Sequence, residues 1–309
     1  MSTASIICQG PTGVGYFCEV PGLPTEDRGV VASRHGAFLV CDAAIVAYIC
    51  AKRFPGQVHL VTNNLGSVGC ESQLIRTKLG AGVTIHPDPS PVSGAPIDMI
   101  FVDRREGTRS YATTNYYPSG SHILTATRDL HASLSPEPRT VLYVDIEAQA
   151  ESGRAALEAS PHLAMDGPSV WNLGQVTQLS EVEDWLSGAV LPAGAIVQAS
   201  LGNSNVTTPE LRSTHRRISS AANQTLVVTL GRTGAAWADD RDAEFIAVNS
   251  ISQAFTLGAG AILASSLVIA LAGEGSPSVG AAVSDAVAAA TRYVRDATLD
   301  GDMQGLEYW

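Results

Sequence analysis

Gly258, Ala259 and Gly260 are the residues whose type and spacing point most directly to chemistry. They lie in the stretch TLGAGAILASSL, Thr256 to Leu267, after an apolar, β-leaning segment at residues 244–248 and ahead of a run of helix formers at residues 262–271. Strand, small-residue turn and helix in that order aim bare backbone N–H groups at an anion. Glycine allows the close approach and positive φ that such a turn needs. A phosphate cradle is one reading of the triplet; glycines placed for strand-to-helix packing are the other.

Other residues compete for chemical roles. Asp145, Glu147 and Asp166 fall at the ends of expected strands. There they could hold Mg²⁺ or accept a proton, or else cap helices. Asn203 and Asn205, in Gly202-Asn203-Ser204-Asn205, suit either phosphate oxygens or a plain turn. Arg104 and Arg109 border a hairpin turn, where they clamp an anion or face solvent. Arg232, between Gly231 and Gly234, invites the same two readings, and His35 is an acid–base candidate. The seven histidines have no metal-ligand spacing, and the chain has neither a Gly-x-Ser-x-Gly elbow nor a Gly-Lys-Ser/Thr phosphate loop.

The elements that must position these residues alternate. Strands are expected at residues 5–8, 15–20, 29–32, 58–62 and 83–86, with helices at 43–52 and 71–79. A hairpin at 98–103 and 108–114 follows. Strands at 141–145, 162–165, 195–199, 226–230 and 244–248 then alternate with helices at 152–159, 180–187 and 209–222, and a final helix covers 276–297. That order implies a mainly parallel sheet with helices on both faces and a small β lid from the first third of the chain. Ligands of such sheets bind beyond the carboxyl ends of the strands, which singles out Gly10, Asn63, Asn64, Asp145, Glu147, Asp166, Ser200, Gly231 and Gly258.

Composition narrows the function classes. A net charge of −11 over 309 residues argues against a nucleic-acid backbone or an anionic membrane as the main partner. The densely apolar part of the uncharged stretch 245–273 is a dozen residues, 261–272, which suits a buried core helix and not a span. Five cysteines without a C-x-x-C, and no secretory leader ahead of them, read as reduced, mostly buried thiols of a cytoplasmic protein.

Six segments in order carry a resemblance. They are 6–24, Asp42-Ala43-Ala44-Ile45-Val46-Ala47, 66–69, Gly107-Thr108-Arg109-Ser110-Tyr111, Thr229-Leu230-Gly231-Arg232-Thr233-Gly234 and 256–261. Over most of its length the chain resembles the ribokinase-like, or PfkB, carbohydrate and nucleoside kinases. The resemblance implies a single domain over residues 1–309, a three-layer α/β/α core with a mainly parallel central sheet, and lid strands within about 11–35 and 97–118. It implies ATP and Mg²⁺, a small-molecule substrate phosphorylated on a hydroxyl, and a homodimer through the lid. Gly258, Ala259 and Gly260 would cradle the transferring phosphoryl group, and the family's Asp base falls at Ala261. Thr229, Gly231 and Gly234 would line the nucleotide, and Gly15, Asp42 and Arg109 would meet the substrate; by the residue readings above, Asn203 and Asn205 join the nucleotide set and Asp145 is the metal candidate.

The departures are chemical. Ala261 cannot accept a proton, and the Asp opening the signature is Phe255. The segment Gln198-Ala199-Ser200-Leu201-Gly202-Asn203 lacks the carboxylate of the family's Asn-x-x-Glu motif, and Gly15 stands where a sugar-binding Asp belongs. Residues 38–41 replace the usual glycine pair. A general base is worth roughly 10²–10⁴ in rate. The chain is therefore a divergent or engineered kinase, or a ribokinase-fold protein that binds a ligand or performs different chemistry.

Overall fold

A computed structural model describes residues 4–24, 29–66, 69–89, 95–103, 105, 108–114, 120–134, 139–146, 167–202, 204–219, 223–249, 258–273, 275 and 278–299. In chain order the strands are β1 (Ser5–Gln9), β2 (Gly13–Val20), β3 (Arg34–Val40), β4 (Val58–Thr62), β5 (Val83–Pro87), β6 (Ile97–Asp103), β7 (Thr108–Thr114), β8 (Thr140–Asp145), β9 (Ser169–Gln175), β10 (Ile196–Ser200), β11 (Thr225–Thr229), β12 (Gly234–Ala238) and β13 (Ala243–Ala247). The α-helices are α1 (Asp42–Arg53), α2 (Cys70–Leu79), α3 (Gly120–Leu134), α4 (Leu179–Leu186), α5 (Thr208–Ile218), α6 (Ala259–Ala272) and α7 (Val279–Leu299).

The central sheet has nine strands in the order β13-β12-β11-β10-β9-β8-β1-β4-β5. Strands β11 through β5 are parallel, and the β11–β12 and β12–β13 pairs are antiparallel. Buried on both faces, its middle strands read as continuous apolar runs: every residue of β1 is buried, as are Val141–Val144 of β8. One face packs on α1, α6 and α7, and the other on α3, α4 and α5. Helix α6 is apolar all round because it lies between the sheet, α1 and α7; no helix among the described residues is long and apolar enough to cross a membrane. The α5 helix starts on a capping box, Thr207 and Glu210 bonding each other's backbone N–H.

The second sheet is the lid, with order β3-β2-β6-β7. Its β2–β6 pair is parallel and its outer pairs are antiparallel. Alternation gives it two faces. Val14 and Leu39 join the main core, and the Tyr16 hydroxyl donates to Glu71 Oε1 on α2 at 3.3 Å. On the opposite face Phe17, Phe38, Val40, Ile100 and Val102 form their own buried cluster, which reaches Cys41.

Several expected elements fall elsewhere. The strand placed at 29–32 is β3 at Arg34–Val40, beyond a polar stretch that carries Ser33 onto the Glu19 backbone. Helix α3 and strands β9 and β12 were not anticipated: α3 mixes Thr and His into its apolar stripe, and β9 is interrupted by Asn172 and Gly174. The strand expected at 162–165 and the helix at 152–159 lie outside the described residues.

Candidate active site at the amino end of α6

Gly258 sits at the start of α6 in the left-handed conformation, φ 82° and ψ −4°, a geometry glycine takes without strain. Gly258, at the N-cap, supplies no side-chain cap to the first turn. Gly258, Ala259 and Gly260 are all half-buried. Among the described residues, a Cβ on Gly260 would have one neighbour within 4 Å, Asp42 Oδ2 at 3.9 Å. Tight packing therefore does not explain the glycine at 260, and the first-turn N–H groups suit an anion. Ala261 differs: it is fully buried in the core that α6 shares with α1.

Beneath this turn runs a polar row set by strand register. Asp145 on β8 lies opposite Asn172 on β9, which lies opposite Gln198 on β10. The Asn172 amide donates to Asp42 Oδ2 at 2.9 Å and to Asp145 Oδ1 at 3.3 Å. Asp145 Oδ2 accepts from the Ala43 N–H, the first turn of α1, at 3.2 Å. The Gln198 amide donates to the Gly260 carbonyl at 3.3 Å, while Gln198 Oε1 is buried with no partner among the described residues. Gly10 makes room for this crossing, since a Cβ there would stand 2.6 Å from Asp145 Cβ and 2.8 Å from Ala43 Cβ. Tyr143, one pleat below Asp145, is fully buried, with its hydroxyl beside Asn172. Burial, then the charges of Asp145 and Asp42, push that phenol well above its ordinary pKa, so it stays protonated.

The nucleotide candidates are spread along the β11–β12 turn. Thr229 ends β11 half-buried, and its carbonyl accepts from Leu201 N–H at 2.9 Å. Gly231 and Arg232 are exposed on a single 3₁₀ turn. Gly234 is required by packing, because a Cβ there would fall 2.0 Å from the Ile246 carbonyl oxygen. Asn205 is exposed; Asn203 lies outside the described residues, as do Arg104, Glu147, Asp166 and Phe255. Asn63 is a structural tie: its Oδ1 accepts from Thr12 N–H at 2.7 Å and its amide donates to the Asn64 carbonyl at 3.0 Å. Ser200 ends β10, and its carbonyl accepts from Val176 N–H.

The lid departs from the expected substrate set. Gly15 is closed off: a Cβ would lie 2.4 Å from Val40 Cγ1 and 2.9 Å from Phe38 Cζ. The space over that position holds an aromatic ring. Asp98 is its in-register neighbour on β6, on the same face, with Thr113 on its other side. Asp98 Oδ1 is buried without a partner among the described residues. Burial, partly offset by a bond from Thr113, raises the Asp98 carboxyl above its ordinary pKa. Arg109 pairs with Val102 across the hairpin, its side chain lying outside the described residues. His35 is exposed on the opposite face, beside Cys18. All five cysteines are free; Cys8 and Cys50 are buried, which pushes both thiols up, and Cys70 is exposed.

Sequence reasoning missed Asn172, Gln198, Tyr143 and Asp98. The one available signal was polar residues inside otherwise apolar strands, VWNLG and IVQAS.

No family model and no curated protein matches the chain. Solved structures do. Ribokinase from Giardia lamblia superimposes with a TM-score of 0.69 at 16% identity, covering 94% of this chain and 93% of that one. Ribokinase from Cryptococcus neoformans in complex with ADP gives 0.65 at 15%, covering 99% and 97%. Phosphofructokinase-2 from Escherichia coli in complex with fructose-6-phosphate gives 0.63 at 12%, covering 95% and 94%. The chain has the ribokinase-like fold, a three-layer α/β/α arrangement on a mostly parallel sheet.

Proposed function

We propose that the protein is an ATP-dependent phosphotransferase acting on a hydroxyl of a small sugar- or nucleoside-like molecule. The observation that carries this reading is the amino end of α6, which begins on Gly258, faces Asp42 and has no side-chain cap among the described residues. A helix N-terminus of that kind neutralises a phosphoryl group as charge develops on it. The fold is shared with a ribokinase that holds ADP and a phosphofructokinase that holds fructose-6-phosphate, which supports a nucleotide and a sugar as the ligand classes. Bound MgATP would supply the transferable phosphoryl group and its counter-charge. Among the described residues no three His, Cys, Asp or Glu side chains come together. The cation would ride on the nucleotide phosphates and water, with the Asp145 carboxylate at the carboxyl end of β8 available to it.

The substrate would lie between the α6 turn and the lid face that carries Asp98. That face carries an apolar cluster, the Glu19–Arg34 ion pair and Asp98, which suits a ligand with an apolar flank and a hydrogen-bond donor for the Asp98 carboxylate. A lid-to-lid homodimer, as the resemblance suggests, would use the edge strands β3 and β7.

Calorimetric titration with ATP and ADP, with and without Mg²⁺, is the first test. ADP release is then followed over pentoses, hexoses, polyols and nucleosides. Binding of nucleotide with acceptor-dependent ADP release is the expected result; no nucleotide binding overturns the reading. The buried Ala261 favours a second reading, in which the pocket binds ligand without transfer; nucleotide and ligand binding with no ADP release would establish it.

A further inference from the structure

We propose, on the phosphotransfer reading above, that Asp42 is the general base of this chain, doing from the start of α1 what the resemblance assigns to position 261. The two positions differ in access. Ala261 is fully buried between α1, α6 and the sheet, so a carboxylate there would enter the core. Asp42 is half-buried, and its Oδ2 is the atom that faces Gly260 on the open side of the first turn of α6.

Orientation is built in. Asn172 holds Asp42 Oδ2 at 2.9 Å, and the same Asn accepts from the Gly174 N–H at 3.2 Å, which fixes which end of its amide donates. The α1 N–H at Ala43 is taken by Asp145, not by Asp42. One further polar atom of the same row, Gln198 Oε1, lies buried and unpartnered among the described residues. Orphaned groups of this kind are costly in a purely structural role and mark a site that expects a ligand.

The step balances without another reagent. The acceptor O–H gives its proton to the Asp42 carboxylate. The acceptor oxygen forms a bond to the γ-phosphorus as the bond from that phosphorus to the β–γ bridging oxygen breaks, its electron pair leaving on ADP. Asp42 then returns the proton to water. Asp145 and Asn172 act through Asp42 and are positioning residues.

The test is Asp42→Asn, which keeps size and can still accept from Asn172. Acceptor-dependent ADP release should fall about 10²–10⁴-fold. ATP affinity by calorimetry should hold or rise severalfold, because a negative charge beside the phosphate cradle is gone. A merely structural Asp42 would lower ATP affinity together with turnover, and that result overturns the proposal. Ala261→Asp in the Asp42→Asn background should restore nothing and lower the melting temperature; recovery of turnover would return the base to position 261. An active wild type with an equally active Asp42→Asn variant rejects Asp42 alone. A wild type that binds ATP but transfers to no acceptor rejects phosphotransfer, and this role with it.

Discussion

Asn172 donates to Asp42 Oδ2 across 2.9 Å, although 130 residues separate them in the chain. The contact exists because β9 lies next to β8, and α1, which follows β3 in the chain, starts beside Gly10 at the end of β1, the strand on the other side of β8. The same amide reaches Asp145, so one neutral donor separates two carboxylates. Removing it takes one hydrogen bond from each carboxylate and leaves the two charges facing each other. Asn172→Ala should therefore destabilise the fold by about 1–3 kcal/mol, with part of the loss recovered at high salt. Urea unfolding at two ionic strengths measures both effects; a neutral substitution would show that the bridge does not hold the site together.

Restoring a carboxylate at Gly15 should harm the protein rather than improve it. The Cβ alone would lie 2.4 Å from Val40 Cγ1 and 2.9 Å from Phe38 Cζ. Gly15→Asp should cost about 3 kcal/mol or more from overpacking and a buried charge. Combining it with Phe38→Ala should recover part of that, so a double-mutant cycle should show coupling of about 1 kcal/mol or more. Additive losses would mean that Phe38 does not occupy the vacated space.

The lid shows what the sequence could and could not tell. The hairpin of β6 and β7 was legible because its residues alternate about a polar turn. Strand β3 was not, because HGAF pairs glycine and alanine with one aromatic, and local pattern alone does not reveal that Phe38 sits opposite Gly15. The start of α6 was legible as small residues before an apolar helix. The row of Asp145, Asn172 and Gln198 was not, since each is one polar residue in a separate strand and only the order β8-β9-β10 aligns them. Asp42 was legible as a candidate from the segment that opens α1, whereas its contact with Asn172 depends on packing between distant elements that no short motif encodes.

Stability should fall with acid at the sheet edge. His59 Nδ1 and His86 Nε2 lie 3.1 Å apart on β4 and β5. Burial holds both imidazoles below their ordinary pKa of 6.5, and for His59 the neighbouring His86 adds to it. The folded state then binds fewer protons than the unfolded chain below that value, so the pair's neutral form supports the fold above it and stability is lost as pH falls through the depressed values. His86→Gln removes one titration and keeps a polar partner. Its melting temperature should drop less than that of the wild type between about pH 7.5 and about pH 5. Equal drops would place the acid sensitivity elsewhere.

Asp98 makes the opposite exchange. Its carboxyl is raised above the ordinary 3.8 by burial, and Oδ1 has no partner among the described residues. A group with a raised folded pKa supports the fold below its unfolded value and ceases to as pH rises through the folded one. At neutral pH the ionised carboxylate is therefore a cost to the empty protein. Asp98→Asn should stabilise the fold at about pH 7 by about 1 kcal/mol, allowing for its partial exposure, and the gain should shrink toward about pH 4. The same variant should raise the KM for the acceptor about tenfold or more, because a bond to a charged group is lost, while ATP affinity stays unchanged. Stability gained as acceptor binding is lost is the expected signature of a residue kept for its ligand. A variant that gains stability and keeps its acceptor KM would show that the orphaned oxygen never meets the substrate.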